Sequence, residues 1–212
     1  PRYFSSAASD VYKRQLQDVV SATSSTSDGA STTAMVSSNG FEGTQEQTWL
    51  WLGSELTMRE GEGLMEAWMW GGAPHRAQAP TPEAVAVEAL RRAQEQLGST
   101  KGPTRKGLMI VDPAAAGRLI SRLLGPATGS AVQQGRSFWA DRIGTPVISD
   151  KLVLTDEPLL PRGPSSRLYD SEGIAAKSMP ILADGALQNL YIDTYYGRKL
   201  GMAPTTGGPS NR

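Results

Sequence analysis

The chain has 212 residues, and its 21 Lys and Arg balance its 21 Asp and Glu for a formal net charge of +0. That balance leaves no cationic excess to neutralise phosphates or anchor the chain to an anionic bilayer, and no apolar run approaches the roughly 20 residues of a membrane span, so neither a nucleic acid nor a membrane is expected as a partner. The absence of cysteine excludes disulfides, thiolate metal sites and a cysteine nucleophile, and the single histidine, His75, excludes any site that needs two imidazoles from one copy. No basic start with an apolar core and cleavage site is visible, so the expected location is cytoplasmic.

In chain order, residues 1–15 (PRYFSSAASDVYKRQ) match nothing that follows. The stretch SSAASDVYKRQ resembles translated sequencing-adapter read-through and is expected to be a non-native scar. Ser21 to Thr33 is rich in Ser and Thr and reads as a loop, with a short strand at Thr33 to Ser37. Asn39-Gly40 signals a hairpin with a type I′ turn. The return strand is expected over Glu46 to Leu52, with Trp49 and Trp51 on one face. A turn at Gly61-Glu62-Gly63 leads to Leu64–Trp70, where Leu64, Glu66, Trp68 and Trp70 oppose Met65, Ala67 and Met69. This is an antiparallel meander.

A helix follows. Thr81 is the N-cap, Pro82 takes the first position, and Ala86, Ala89, Leu90, Ala93 and Leu97 form its apolar stripe. Gly98 ends it in a left-handed conformation. The basic stretch Lys101 to Lys106 marks a boundary. Gly107 to Val111 (GLMIV) reads as a buried strand. Asp112 and Pro113 then start a helix with Ala116, Leu119, Ile120, Leu123 and Leu124 on its buried side, stopped by Gly125-Pro126. Ser130 to Ser137 begins another helix, and Lys151 to Leu154 is a strand candidate. Ala183-Asp184-Gly185 joins Ser178–Leu182 to Ala186–Ile192 as a hairpin, and Asp193 to Leu200 is a short helix capped by Gly201. Strands and helices mix without regular alternation, so the fold class is α+β. The expected organisation is a scar over 1–15, a partial N-terminal domain over 16–106, and the beginning of a truncated C-terminal domain over 107–212. The closing stretch TTGGPSNR reads as a loop without a final element, so a fragment cut at both ends is expected.

The motifs of common enzymes are missing. There is no phosphate-binding G-x-x-x-x-G-K-[ST], and Gly61 and Gly63 give only G-x-G. His75 lies in GGAPHRAQAP and reads as a solvated loop residue. Asp156-Glu157 and Asp170 with Glu172 could divide acid and base roles, but both sit in turn-forming sequences, where Asp oxygens bind nearby backbone N–H groups. Trp49, Trp51, Trp68 and Trp70 read as packing rather than as ligand platforms. Arg198-Lys199 complement a helix dipole.

The second half carries longer signatures: TGSAVQQGRSF from Thr128, LTDEPLLPRG from Leu154, YDSEGIAAKS from Tyr169, LADGALQNLYIDTYYGRKLGM from Leu182, and TTGG at Thr205. These resemble the TldD/PmbA family, also called the modulator-of-DNA-gyrase family. The resemblance is strong from about Gly107 onward. From Ser38-Asn39-Gly40 to Leu97 it is fainter, resting on the order of turn, aromatic strands and helix. The segment Tyr196-Gly197-Arg198-Lys199-Leu200-Gly201 departs from the family pattern by Gly197 in place of alanine.

The resemblance implies a α+β C-terminal domain of the TldD/PmbA type and a place in a zinc metallopeptidase assembly. TldD-type subunits carry H-E-x-x-x-H on a helix, with two histidines for zinc and a glutamate for the metal-bound water. Aligned on Thr128 to Val132, those three positions fall on Ile120, Ser121 and Gly125. The implied reading is a PmbA/TldE-like subunit with no catalytic residue and no metal ligand of its own; its substrate-binding residues are not identified. It binds no cofactor, with zinc expected in a TldD-like partner of a heterodimer that acts on peptides. The family assembly is associated with proteolysis and with maturation of a gyrase-directed peptide antibiotic. Two alternatives stand beside this: an active metallopeptidase with ligands outside the fragment, or a gyrase-modulating interaction protein without a peptidase role.

Overall fold

The structure, a computed structural model, describes residues 18–211. The expected scar over 1–15 lies outside them. The fold is α+β, and the described residues divide into two compact units, 18–32 with 46–105 and 33–45 with 106–211.

The first unit holds most of a three-stranded sheet in the order β1 (Val19–Val36), β2 (Glu42–Glu60), β3 (Gly63–Ala73). Its meander was legible, but its extent was not. The Ser- and Thr-rich stretch expected as a loop is the body of β1. Threonine is a good strand former, and Ser21 Oγ donates to Thr57 Oγ1 at 3.1 Å, so a polar strand finds its partners across the sheet. The hairpin at Asn39-Gly40 is present with another turn. Gly40 alone has positive φ (89°), and the Gly40 N–H donates to Ser37 O at 3.0 Å. That is the pattern of a three-residue loop closed by a left-handed glycine, not a type I′ turn. At the second hairpin Glu60 pairs with Gly63, leaving Gly61 and Glu62 as a two-residue loop with positive φ at Gly61 only, as in a type II′ turn.

The two faces of this sheet differ. Leu56, Met58 and Ala67 are buried on the inner face, against α1 (Pro82–Gln96), whose Val85, Ala86, Ala89 and Ala93 are buried in turn. Thr81 Oγ1 accepts the Ala84 N–H at 3.2 Å, and Gly98 adopts φ of 73°, as expected for the two ends. Small alanines bring the helix axis close to the strands. On the outer face Trp49, Trp51, Trp68 and Trp70 are 37 to 50 % exposed. Three of these indoles lie over glycines of the neighbouring strand. A Cβ on Gly29 would stand 2.3 Å from Trp49, one on Gly72 2.6 Å from Trp51, and one on Gly53 2.7 Å from Trp70. The aromatic ring takes the place of the missing side chain and shields the strand beneath it.

The solvent side of α1 carries an ion-pair ladder. Arg91 Nε lies 2.7 Å and Arg92 Nε 2.8 Å from the Glu88 carboxylate, and Arg91 also reaches Glu95. Hydrogen bonds from Arg91, then Arg92, lower the Glu88 pKa from 4.5 to about 2. A carboxyl group lowered by folding stabilises the fold above its unfolded value. That contribution fades as pH falls from about 4.5 through about 2. Glu88→Gln is expected to lower the thermal midpoint slightly near neutral pH, to converge with the parent at acid pH, and to differ less in high salt. Thermal melts across that pH range check this.

The second unit is built around Leu124, Ala127, Trp139, Met179, Ile181, Leu182, Leu187, Leu190, Tyr191 and Ile192. Its sheet has the order β4 (Leu154–Asp156), β5 (Met179–Ala183), β6 (Ala186–Leu187). The expected strand at Lys151 starts three residues late, at Leu154. Asp184 and Gly185 both have positive φ (52° and 73°), so the β5–β6 hairpin turns through them as the Asp-Gly signal requires. Three helices belong here: α2 (Pro113–Leu124), α3 (Gly129–Gln133) and α4 (Thr194–Leu200). The expected strand at Gly107 to Val111 is not formed. Leu108, Met109 and Ile110 are 93, 72 and 88 % exposed, and no strand lies beside them to take their main-chain groups. The second unit also includes 33–45, the far end of the β1–β2 hairpin, where Phe41 meets Tyr169 edge-on with ring centroids 4.9 Å apart.

No helix among the described residues is long and apolar enough to cross a membrane.

Candidate functional site

Helix α2 and its C-cap Gly125 carry the three positions that the resemblance aligns with a metal motif. Asp112 Oδ1 accepts the Ala114 N–H at 2.7 Å and Pro113 occupies the first position, so the start is fixed by local sequence. At the other end the Gly125 N–H donates to Ser121 O at 2.8 Å, and the indole Nε1 of buried Trp139 donates to Leu123 O at 2.9 Å. Trp139 thereby satisfies a carbonyl that the end of the helix leaves without a helical donor.

Within this frame Ile120 packs against the core, while Ser121 and Gly125 are exposed. Isoleucine and glycine offer no side-chain lone pair, and a neutral serine hydroxyl is a weak zinc ligand and a poor base. This donor set does not fit zinc. Among the described residues no group of three or more His, Cys, Asp or Glu is placed to hold a metal ion.

The chain leaving α2 is tightly held. The Gly129 N–H donates to Tyr191 O at 2.8 Å and the Tyr191 N–H to Ala127 O at 2.9 Å, a parallel bridge centred on Thr128. A Cβ on Gly129 would stand 2.8 Å from the Tyr196 Cβ, so α3 and α4 meet there through the lack of a side chain. Gly129→Ala is expected to cost about 1–3 kcal/mol by overpacking, read as a lowered midpoint in urea unfolding. Beside α2 an open cleft of about 490 Å³ is lined by Leu123, Phe138, Trp139, Val147 and Ile148, with Arg142 at its edge.

The acidic pairs bind backbone. Asp170 Oδ1 accepts the N–H groups of Glu172 (2.9 Å) and Ile174 (3.0 Å), which is the expected turn. Its other oxygen accepts from the Gly207 N–H (3.2 Å) and Thr206 Oγ1 (3.3 Å). Glu172 takes the N–H and hydroxyl of Thr194 at the start of α4. Asp156, 1 % exposed, sits at the end of β4 rather than in a turn, and its Oδ1 accepts the N–H (2.7 Å) and Oγ (3.0 Å) of Ser210. Glu157 accepts from Ser178 Oγ at 2.6 Å. Three of these carboxylates, Asp156, Asp170 and Glu172, brace the Gly-rich stretch 205–211 and the start of α4, while Glu157 reaches Asn211 through its backbone.

Arg167 completes the brace, donating to Pro209 O at 3.2 Å, to Thr206 Oγ1 at 3.0 Å and to Gly208 O. Asn211 adds its own bonds to Ser165, Ser166 and Glu157. Sequence reasoning missed Arg167, Asn211 and Trp139. Nothing in local spacing ties residue 167 to residues some forty positions away.

His75 is exposed, and its Nδ1 accepts the Ala77 N–H at 3.2 Å, capping a single 3-10 turn at Arg76–Gln78. Arg198 and Lys199 lie in the last turn of α4, with Lys199 Nζ 4.5 Å from the centre of the Tyr195 ring. A hydrogen bond with Tyr195 holds the Lys199 ammonium above its usual range.

Residues 104–211 match the PmbA/TldA metallopeptidase C-terminal domain and residues 4–97 match the PmbA/TldA metallopeptidase central domain. The chain belongs to the PmbA/TldD family. It is 32% identical over 133 residues to the metalloprotease PmbA of Escherichia coli O157:H7, a match covering 62% of this chain and 30% of that protein. A crystal structure from Bacteroides thetaiotaomicron, of a protein named for modulation of DNA gyrase, is 34% identical with a TM-score of 0.91, covering 96% of this chain and 47% of that one. TldE from Thermococcus kodakarensis shares the fold (TM-score 0.74, 17% identity, covering 95% of this chain and 46% of that one). The matches therefore span less than half the length of these relatives.

Proposed function

We propose that this chain is part of a PmbA/TldE-like subunit that holds no catalytic metal and works with a zinc-bearing, TldD-like partner in peptide proteolysis. The observation that carries the reading is the identity of Ile120 and Ser121 in α2 and of Gly125 at its C-cap. The helix stands directly before the Thr128–Val132 segment, in the order the family motif requires, and the three residues there cannot ligate zinc or activate water. Ile120 is spent on the core instead. The subunit's contribution is then shape and binding. In the first sheet β1 and β3 are edge strands, and an extended peptide can add to such an edge through main-chain hydrogen bonds.

The test is elemental analysis and peptidase assay of the full-length protein, first alone and then with the partner. Negligible zinc and no hydrolysis alone, with chelator-sensitive hydrolysis after pairing, are expected. One tightly held zinc per isolated chain, with hydrolysis that a chelator abolishes, overturns the reading. Recovery of gyrase without a TldD-like chain on co-purification also overturns it.

A further inference from the structure

The outer face of the first sheet combines flat indoles with unpaired carboxylates. A Cβ on Gly53 would stand 2.7 to 2.8 Å from Cε3, Cζ3 and Cη2 of Trp70, so that ring lies flat over the glycine with its other side open. Trp68 is on the same face, two residues along β3, and is 49 % exposed. Glu55 stands opposite Trp68 across the β2–β3 ladder, and Glu66 stands opposite Thr57 in the next pair on that face. Both acids are exposed, and neither side chain forms an ion pair or a hydrogen bond.

The charge of the sheet is as one-sided as that of the whole chain is balanced. Over 19–32 and 46–73, its part within the first unit, Asp28, Glu46, Glu55, Glu60, Glu62 and Glu66 stand against one base, Arg59. An indole face attracts a cation through its negative quadrupole, and a carboxylate beside it adds a charge-assisted partner. The face is therefore complementary to lysine and arginine. Phosphate backbones are repelled, and a second copy meeting the same face would set acid against acid. A small free cation needs an enclosing aromatic cage, which an open sheet does not form. An extended chain fits the spacing. Its alternate side chains recur about every 7 Å, the step between Trp68 and Trp70 along their own strand.

We propose that the outer face of this sheet, centred on Trp68, Trp70, Glu55 and Glu66, binds an unfolded peptide segment with basic residues at alternate positions. The choice of an unfolded peptide as occupant rests on the proposed role in peptide handling, which the inference deepens by naming the substrate's charge.

The test uses the full-length protein without a partner and two dye-labelled peptides, one alternating Lys with Thr and one alternating Glu with Thr. Binding is read by anisotropy and no hydrolysis is measured, so the result is independent of the zinc assay. The Lys peptide is expected to bind at least about tenfold more tightly than the Glu peptide, and less tightly in high salt. Glu55→Gln combined with Glu66→Gln alters only exposed side chains and is expected to weaken binding about tenfold with an unchanged melting midpoint. Trp68→Ala is expected to weaken it by a similar factor. Equal binding of the two peptides, no binding, or parental affinity in both variants overturns the proposal. So does a Trp68 emission, taken as the difference between parent and Trp68→Ala, that acrylamide cannot quench before peptide is added, because the face is then occupied by a second copy or by the rest of the chain.

Discussion

Replacing Trp139 by alanine is expected to destabilise the protein by about 3–5 kcal/mol, the range for removing a large aromatic from a packed core. Its indole is 2 % exposed, within the cluster formed by Leu124, Ile181, Leu187 and Tyr191. Two effects contribute, and a second variant separates them. Trp139→Phe keeps most of the apolar contact but loses the Nε1 donor, so Leu123 O at the end of α2 goes without its partner. That loss alone is expected to cost about 1–3 kcal/mol. Urea unfolding of the alanine, phenylalanine and parent proteins gives the ordering. A phenylalanine variant as stable as the parent would show that the helix end does not depend on the indole.

The second large effect is expected at Asp170. Its carboxylate accepts from four donors, two in its own turn and two in the stretch 206–207. Asp170→Ala orphans the N–H groups of Glu172, Ile174 and Gly207 together. An orphaned donor costs about 1–3 kcal/mol when buried, and because Glu172 and Ile174 are half-buried and Gly207 is exposed, rehydration brings the total to about 3 kcal/mol. Asp170→Asn keeps one oxygen for the turn and turns a donor toward Gly207, so it is expected to fall between. Unfolding midpoints measure the sum. Amide exchange at Gly207 locates it, because the 205–211 stretch should loosen before the core does. Unchanged exchange there would mean that Arg167 and Asn211 hold the stretch without the aspartate.

The parts of the fold that could be read from sequence are those fixed by local chemistry. Thr81, Asp112 and Asp193 cap their helices with their own side-chain oxygens, and Gly98 and Gly201 close helices with positive φ. Asp184-Gly185 turns its hairpin because both residues adopt positive φ. What failed depends on neighbours distant in sequence. The serine-rich stretch became β1 because β2 lies beside it. The apolar run 107–111 did not become a strand because no strand does. The same division holds for the candidate site. Ile120 and Ser121 lie in α2 and Gly125 is its C-cap, as the local sequence indicates. Asp170 reads as a turn residue, yet half of its bonds go to residues 206 and 207, a reach that spacing cannot show. Val85 belongs to the buried side of α1 but was absent from the expected stripe, because sheet contact widens the face a helix must hide.

The five tryptophans fall into two optical populations. Four stand on the outer face of the first sheet, 37 to 50 % exposed and three of them laid over glycines, while Trp139 is buried in the core of the second unit. Emission quenched by iodide therefore reports on the meander, and the blue-shifted remainder that the ion cannot reach reports on the other core. An observer following both signals during unfolding can watch each half of the molecule come apart without adding a label.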